Sequence, residues 1–139
     1  MTVETQQPSY PARTRTLTSQ HDLPTTISRL TEALTSHGLT LFADIDQRSA
    51  AMQAGTTLRP TRLFLFGNPK GGTPVMQANP HAAVELPLRA VVWEDDRGTA
   101  HIDYQDVSTV LNSEYGLPQN LAGPLASMRM LLEGVAGAK

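Results

Sequence analysis

The chain has no cysteine, no strong excess of either charge and no long apolar run. Without cysteine, disulfides, thiolate zinc sites and cysteine nucleophiles are excluded. No apolar run approaches the roughly 20 residues of a membrane span, and the N-terminus lacks the basic start and apolar middle of a signal peptide. The 11 basic residues are scattered and the net charge is −2, which argues against nucleic-acid binding. We therefore expect a cytoplasmic protein that binds neither membrane nor nucleic acid.

The length of 139 residues is enough for one domain with one core. Hydrophobic residues make up 40% of the chain and charged residues 17%, a composition that suits a compact fold rather than global disorder. The first residues are polar and include two prolines. We predict a disordered polar tail over residues 1–12 and a single domain over residues 13–139.

Local patterns in the first half predict strands and capped helices. A weak alternation over residues 13–18 indicates an edge strand, and Asp22 is a helix cap, followed by apolar residues at helical spacing as far as Leu34. Period-2 alternation over residues 39–45 puts Leu39, Leu41, Ala43 and Ile45 on one face of a strand. A short helix over residues 46–55 and an apolar strand inside the sheet over residues 62–66 follow.

The second half predicts a hairpin and two helices. A strand over residues 84–93 contains Pro87, which favours an edge position or a bulge. A turn at residues 95–98 leads into a returning strand over residues 99–104. Asp106 caps the next helix, and Gly123-Pro124 opens the last one.

This order of elements predicts an α+β fold. We expect two layers: a mostly antiparallel sheet of about five strands in β-α-β4-α order, with helices on one face. Residues 63–66 and 90–93 are too apolar for a sheet face left in water, so we also expect a homodimer.

The segment from Gly67 to Thr73 is the strongest candidate for a binding site. Its three glycines allow close backbone approach, successive amides can form an anion-binding nest, and Lys70 adds a positive charge. Thr73-Pro74 is typical of a helix start, whose dipole favours an anion. The spacing is not that of a Walker P-loop. The alternative interpretation is a tight strand-to-helix connection in which the glycines supply positive φ angles.

Other chemically active residues form weaker patterns. Asp44, Asp46, Asp103 and Asp106 lie near the ends of two strands and could converge, although Asp46 and Asp106 are better explained as helix caps. The four histidines lack ligand spacing, so we predict no metal site and no cofactor. Met52 and Met76 could line a pocket for a soft ligand, although filling gaps in the core explains them as well.

Several motifs resemble one known family. These are IDQ at 45–47, LRPTRLFLFGNPKGGTPVMQANP at 58–80, VELPLRAVVWEDDRG at 84–98 and IDYQD at 102–106. They are similar to the domain-of-unknown-function family number 302, which implies a two-layer α+β fold, often dimeric, with no established activity. Family members often carry histidine where this chain has Gln47, and Arg-His where it has Glu114-Tyr115. A metal or haem role resting on those histidines therefore does not transfer.

The sequence predicts a small-ligand (anion) binding or sensory module that acts as a dimer. The candidate ligand contacts are Asp46, Asn68, Lys70, Gly71, Gly72 and Thr73. One alternative is an enzyme that uses the same pocket, with Asp46 as general base and Lys70 stabilising an anion. Another is a protein-interaction domain that recruits a partner through its apolar sheet face or its last helix.

Overall fold

A computed structural model describes residues 8–137 as one sheet packed against helices. The five strands are antiparallel and lie in the order β1-β5-β4-β3-β2. Their bounds are β1 Thr14–Thr18, β2 Thr40–Asp46, β3 Thr61–Gly67, β4 Leu88–Glu94 and β5 Ala100–Gln105.

Six α-helices and two 3₁₀ turns connect the strands or follow them. The helices are α1 Leu23–Ser36, α2 Gln47–Gln53, α3 Pro69–Ala78, α4 Val107–Tyr115, α5 Gln119–Ala122 and α6 Ser127–Ala136. The 3₁₀ turns span Pro80–Glu85 and Gly123–Ala126. Side chains of Asp22, Asp46 and Asp106 cap α1, α2 and α4 by accepting backbone hydrogen bonds, as the sequence predicted.

The core lies on one face of the sheet, because side chains alternate along each strand. Phe64 and Phe66 of β3, Val92 of β4 and Ile102 of β5 are fully buried there. They belong to one cluster with residues from α1, α3, α4 and α6, which include Leu30, Val75, Leu111 and Leu132. The predicted α+β, antiparallel fold is confirmed, and β3 lies inside the sheet as predicted.

The opposite face of the sheet is less covered. We call it the outer sheet face; it carries Leu63, Leu65, Val91 and Trp93, all half-buried. The neighbouring helix α2 contributes no buried residue.

Two strand predictions were wrong in detail. The register of β2 against β3 shifts between Leu41, which pairs with Phe66, and Ala43, which pairs with Leu65. This bulge puts Leu41 and Ala43 on opposite faces, so the predicted single apolar face does not exist. β4 is an interior strand that begins after Pro87, and Pro87 therefore takes no place in its ladder.

Two sequence predictions concern the ends and the organisation of the chain. The predicted tail over residues 1–12 lies mostly outside the described residues, and the single domain over residues 13–139 stays a prediction. Within residues 8–137, no helix combines the length and the apolar character that crossing a bilayer would require.

Candidate functional site

The glycine-rich segment is the first turn of α3 rather than a loop. Asn68 caps the helix: its Oδ1 accepts a hydrogen bond from the Lys70 amide at 3.0 Å, and its carbonyl accepts from the Gly71 and Gly72 amides at 2.9 Å each. The predicted helix start at Thr73-Pro74 was wrong, because Pro74 lies inside the helix. The amides expected to form an anion nest are thus bonded within the turn.

The three glycines of this segment are not required by backbone conformation. None of Gly67, Gly71 and Gly72 has a positive φ, so the alternative interpretation of the segment was wrong on this point. An added Cβ would meet only ordinary contacts, at 3.7 Å from Phe42 for Gly67, 3.8 Å from Leu125 for Gly71 and 3.6 Å from Leu86 for Gly72. Glycine in a helix costs about 0.5–1 kcal/mol relative to alanine. Gly71 and Gly72, which lie in α3, therefore give up helix stability without a steric need.

An open cavity of about 400 Å³ lies beside this turn. We call it the β3–α3 pocket, and its walls are mainly apolar: Phe42, Met76, Leu86, Pro87, Leu88 and Leu125, with Asn68, Gly72 and Thr73 at the helix start. Phe42 is the extra residue of the β2 bulge and is 55% exposed. Bulges commonly re-aim a side chain next to a functional site, and this one places an aromatic ring at the pocket.

The predicted site residues separate in the structure. Asn68, Gly72 and Thr73 line the β3–α3 pocket, whereas Lys70 lines neither large cavity. Asp46 pairs with Arg62 near the start of β3, whereas Gly67 is the last residue of that strand. The Asp46 carboxylate accepts a hydrogen bond from the Ser49 amide at 2.9 Å. The geometry does not bring Asp46 to the glycines, so the pair required by the enzyme hypothesis does not share a pocket.

A second, larger cavity of about 930 Å³ lies between α1 and α6. We call it the α1–α6 groove. Its polar residues include Arg29, Glu32, Ser36 and His37, and its apolar residues include Leu131 and Met130. Gly71, the remaining predicted contact, belongs to this groove.

The four aspartates do not converge. β2 and β5 are separated by β3 and β4, Asp46 and Asp106 cap helices, and Asp44 makes a bidentate ion pair with Arg62 at 2.9 and 2.6 Å. Within residues 8–137, no group of three or more histidine, aspartate or glutamate side chains is arranged to hold a metal ion.

A polar cluster occupies one end of the outer sheet face. The Nε2 atom of His101 lies 2.8 Å from Asp95 Oδ2. The Trp93 ring stacks on the His101 ring, with 4.5 Å between the ring centroids. The guanidinium carbon of Arg59 lies over the Trp93 ring, 5.8 Å from its centroid. The hydrogen bond with His101, followed by backbone amides, lowers the pKa of Asp95 to about 2. Two atoms of this face, Trp93 Nε1 and Asp103 Oδ1, are buried without a partner among the described residues.

The two positions that depart from the family pattern have structural roles. Gln47 is the first residue of α2. The hydroxyl of Tyr115 donates to Glu85 at 3.1 Å, and burial, followed by the hydrogen bond with Glu85, raises the pKa of Tyr115.

Comparison with known proteins gives the family. The family described as "Domain of unknown function DUF302" matches residues 15–135. The chain belongs to the DUF302 family. A crystal structure of an uncharacterized conserved DUF302 protein from Bacillus stearothermophilus has the same fold, with a TM-score of 0.75 over 91% of this chain and 98% of that one, at 19% identity.

Among curated proteins, this DUF302 chain is similar to longer ones. The fluoride-specific ion channel FluC 1 of Brucella suis biovar 1 (strain 1330) is 37% identical over 91 residues, which are 66% of this chain and 36% of the relative. FluC 1 of Brucella abortus biovar 1 (strain 9-941) is also 37% identical over 91 residues, 34% of its length. The matched segment thus spans about a third of these relatives.

Sequence reasoning missed most of the pocket wall. Leu86, Pro87 and Leu125 are far from the glycines in the chain, and no local pattern marks them as neighbours. Of the two methionines considered for a pocket, Met76 lines it and is 37% exposed, whereas Met52 lines neither cavity. The available signal in the sequence was Met76, an apolar residue four positions after Gly72.

Proposed function

We propose that the chain is a small-ligand-binding module whose β3–α3 pocket takes an uncharged, largely apolar molecule or the apolar part of a larger one. The observation that carries the proposal is an apolar cavity of about 400 Å³ beside Gly67 at the end of β3 and Gly72 in α3, two glycines that neither φ nor space requires. Ligand pockets are typically cavities of about 300–1,000 Å³ with apolar walls and a few polar groups. Glycines at the rim keep such a space open, at a cost in helix stability.

Inside the β3–α3 pocket, the geometry favours an uncharged group over the anion expected from the sequence. The amides at the start of α3 are bonded to Asn68, and Lys70 lines neither cavity. The polar groups left at the pocket are neutral: Asn68 Nδ2 and the Thr73 hydroxyl make no hydrogen bond within residues 8–137. Each can bond one oxygen of a mainly apolar molecule.

The matched relatives are longer proteins, which fits a role as a module within a larger chain. If the proposal holds, the matching third of the Brucella channels is a ligand-binding segment within a longer protein. For this chain we propose the same role in the cytoplasm, without assigning it channel activity.

A series of 1-alkanols from butanol to octanol tests the pocket. Binding is measured by thermal shift and by calorimetric titration. Because each buried methylene contributes about 0.8 kcal/mol, the dissociation constant should fall about fourfold per added carbon. Gly72→Leu, which fills the pocket beside Leu86, should abolish binding.

Ala50→Leu is the matched control. Ala50 lies in α2, is exposed and lines neither the β3–α3 pocket nor the larger cavity. This variant should bind alkanols like the unmodified protein. Absence of alkanol binding, or equal binding by Gly72→Leu and Ala50→Leu, contradicts the proposal.

A second candidate function is homodimerisation through the outer sheet face. The outer sheet face carries half-buried apolar side chains, Leu63, Leu65, Val91 and Trp93, and a contiguous apolar patch is typical of a protein interface. Arg89 is exposed on the same face and forms no ion pair within the described residues. In a two-fold dimer the same surface is used by both copies, so the apolar strip of one copy would pack on that of the other, with Arg89 beside it.

Sedimentation velocity tests the dimer at micromolar concentrations. The unmodified chain should sediment as twice its 15.0 kDa mass. Val91→Lys, in the middle of the outer sheet face, should give monomers, since a charge cannot be buried there without a partner. Val84→Lys, at a site that is 74% exposed outside that face, is the control and should remain dimeric. A 15.0 kDa species for the unmodified chain rejects the interface.

A further inference from the structure

The two large cavities are neighbours. Asn68, Leu88 and Leu125 line both the β3–α3 pocket and the α1–α6 groove. A ligand that enters the pocket therefore has the groove next to it, across a boundary made of one amide and two leucine side chains. The pocket end is apolar, whereas the groove end carries charged and polar side chains.

The charges in the groove are of both signs. Arg29 and Glu32 are three residues apart on α1 and therefore share one face of the helix. Neither forms an ion pair within residues 8–137. The Arg29 side chain is fixed by two hydrogen bonds of 2.9 Å, from Nε to the Val135 carbonyl and from Nη2 to the Gly134 carbonyl. Its Nη1 atom is therefore available to donate to a ligand. One positive and one negative group side by side complement a head group with both charges.

We propose that the ligand is an elongated zwitterionic amphiphile with a single apolar chain. The chain lies in the β3–α3 pocket, the head group lies in the α1–α6 groove, and Asn68 Nδ2 donates to an oxygen where the two meet. Arg29 contacts the acidic part of the head group and Glu32 contacts the basic part. This inference rests on the proposed function, because it requires the pocket to bind an apolar chain.

Four probes with the same eight-carbon chain test the head group: octanol, octanoate, octyltrimethylammonium and N-octyl-N,N-dimethylglycine. Each is used below its micelle concentration, with calorimetric titration as the readout. Each partly exposed charge pair contributes up to about 1 kcal/mol, so the zwitterion should bind about fivefold tighter than either singly charged probe, which lacks one pair, and tighter still than octanol, which lacks both.

Glu32→Gln is the decisive variant. Glu32 is exposed and makes no hydrogen bond within residues 8–137, so its replacement should leave folding intact. It removes the partner of the basic group, and the zwitterion should lose its advantage over octanoate. Glu114→Gln, exposed and outside both cavities, is the matched control and should keep the original ranking.

The outcomes separate this inference from the proposed function. If octanol binds but the zwitterion binds no tighter, or if Glu32→Gln leaves the ranking unchanged, the head-group assignment is overturned and the pocket stands. If none of the four probes binds, both are overturned.

Discussion

Replacing Gly72 with alanine should raise the stability of the protein and weaken its binding of apolar ligands. Gly72 is helical, has no positive φ, and its added Cβ would lie 3.6 Å from Leu86 Cδ1, an ordinary van der Waals contact. Alanine is favoured over glycine in a helix by about 0.5–1 kcal/mol. For a chain of 139 residues, this corresponds to a rise in Tm of about 2–4 °C.

The same methyl group takes space from the pocket. It stands where a ligand would contact Leu86, so we expect the loss of about one methylene of ligand burial. That loss corresponds to a dissociation constant for octanol about fourfold higher. A variant that gains folding stability and loses ligand affinity is expected where the binding site, rather than the fold, requires glycine.

Urea unfolding and calorimetric titration measure the two effects on one sample. Gly134→Ala in α6 provides the reference: Gly134 lines the α1–α6 groove but not the β3–α3 pocket, so this variant should show the same gain in stability and unchanged binding of octanol, which has no charged head group. A destabilised Gly72→Ala protein would mean that the fold needs this glycine. A stabilised variant with unchanged affinity would mean that the pocket does not bind the ligand at this wall.

Three further predictions concern charge and the core. Because the pKa of Asp95 is lowered from 3.8 to about 2, its carboxylate stabilises the fold above about pH 4, and this contribution is lost as the pH falls towards 2. Asp95→Asn should therefore reduce the pH dependence of the free energy of unfolding over that range. An unchanged pH dependence would contradict the assignment. Thr26 is fully buried, and its hydroxyl is hydrogen-bonded to Ser19 Oγ at 2.7 Å and to the Asp22 carbonyl at 2.8 Å. Thr26→Val should therefore lower the free energy of unfolding, measured in urea, by about 1–3 kcal/mol. An unchanged free energy of unfolding would show that the site repacks. Lys70→Ala should leave octanol affinity unchanged, and inorganic phosphate should not raise the Tm; a phosphate-induced shift that depends on Lys70 would restore the anion site.

The amino-acid sequence determined most of the elements because their signals are local. The cap residues Asp22 and Asp106 mark helix starts through hydrogen bonds to amides three residues on. A short apolar run marks β3, the turn at residues 95–98 marks the hairpin of β4 and β5, and the motifs around residues 58–80 identify the DUF302 family. Each of these features depends on residues that are close together in the chain.

Only the tertiary structure decided where the candidate site lies and what it can bind. The antiparallel register of β2 on β3 places Asp46 beside Arg62 and far from Gly67, although both had seemed to belong to one pocket. The bulge in β2 turns Phe42 towards the glycines, and Leu125 approaches them from a distant segment. A cavity depends on strand register and on packing between distant parts of the chain, and neither leaves a pattern among neighbouring residues.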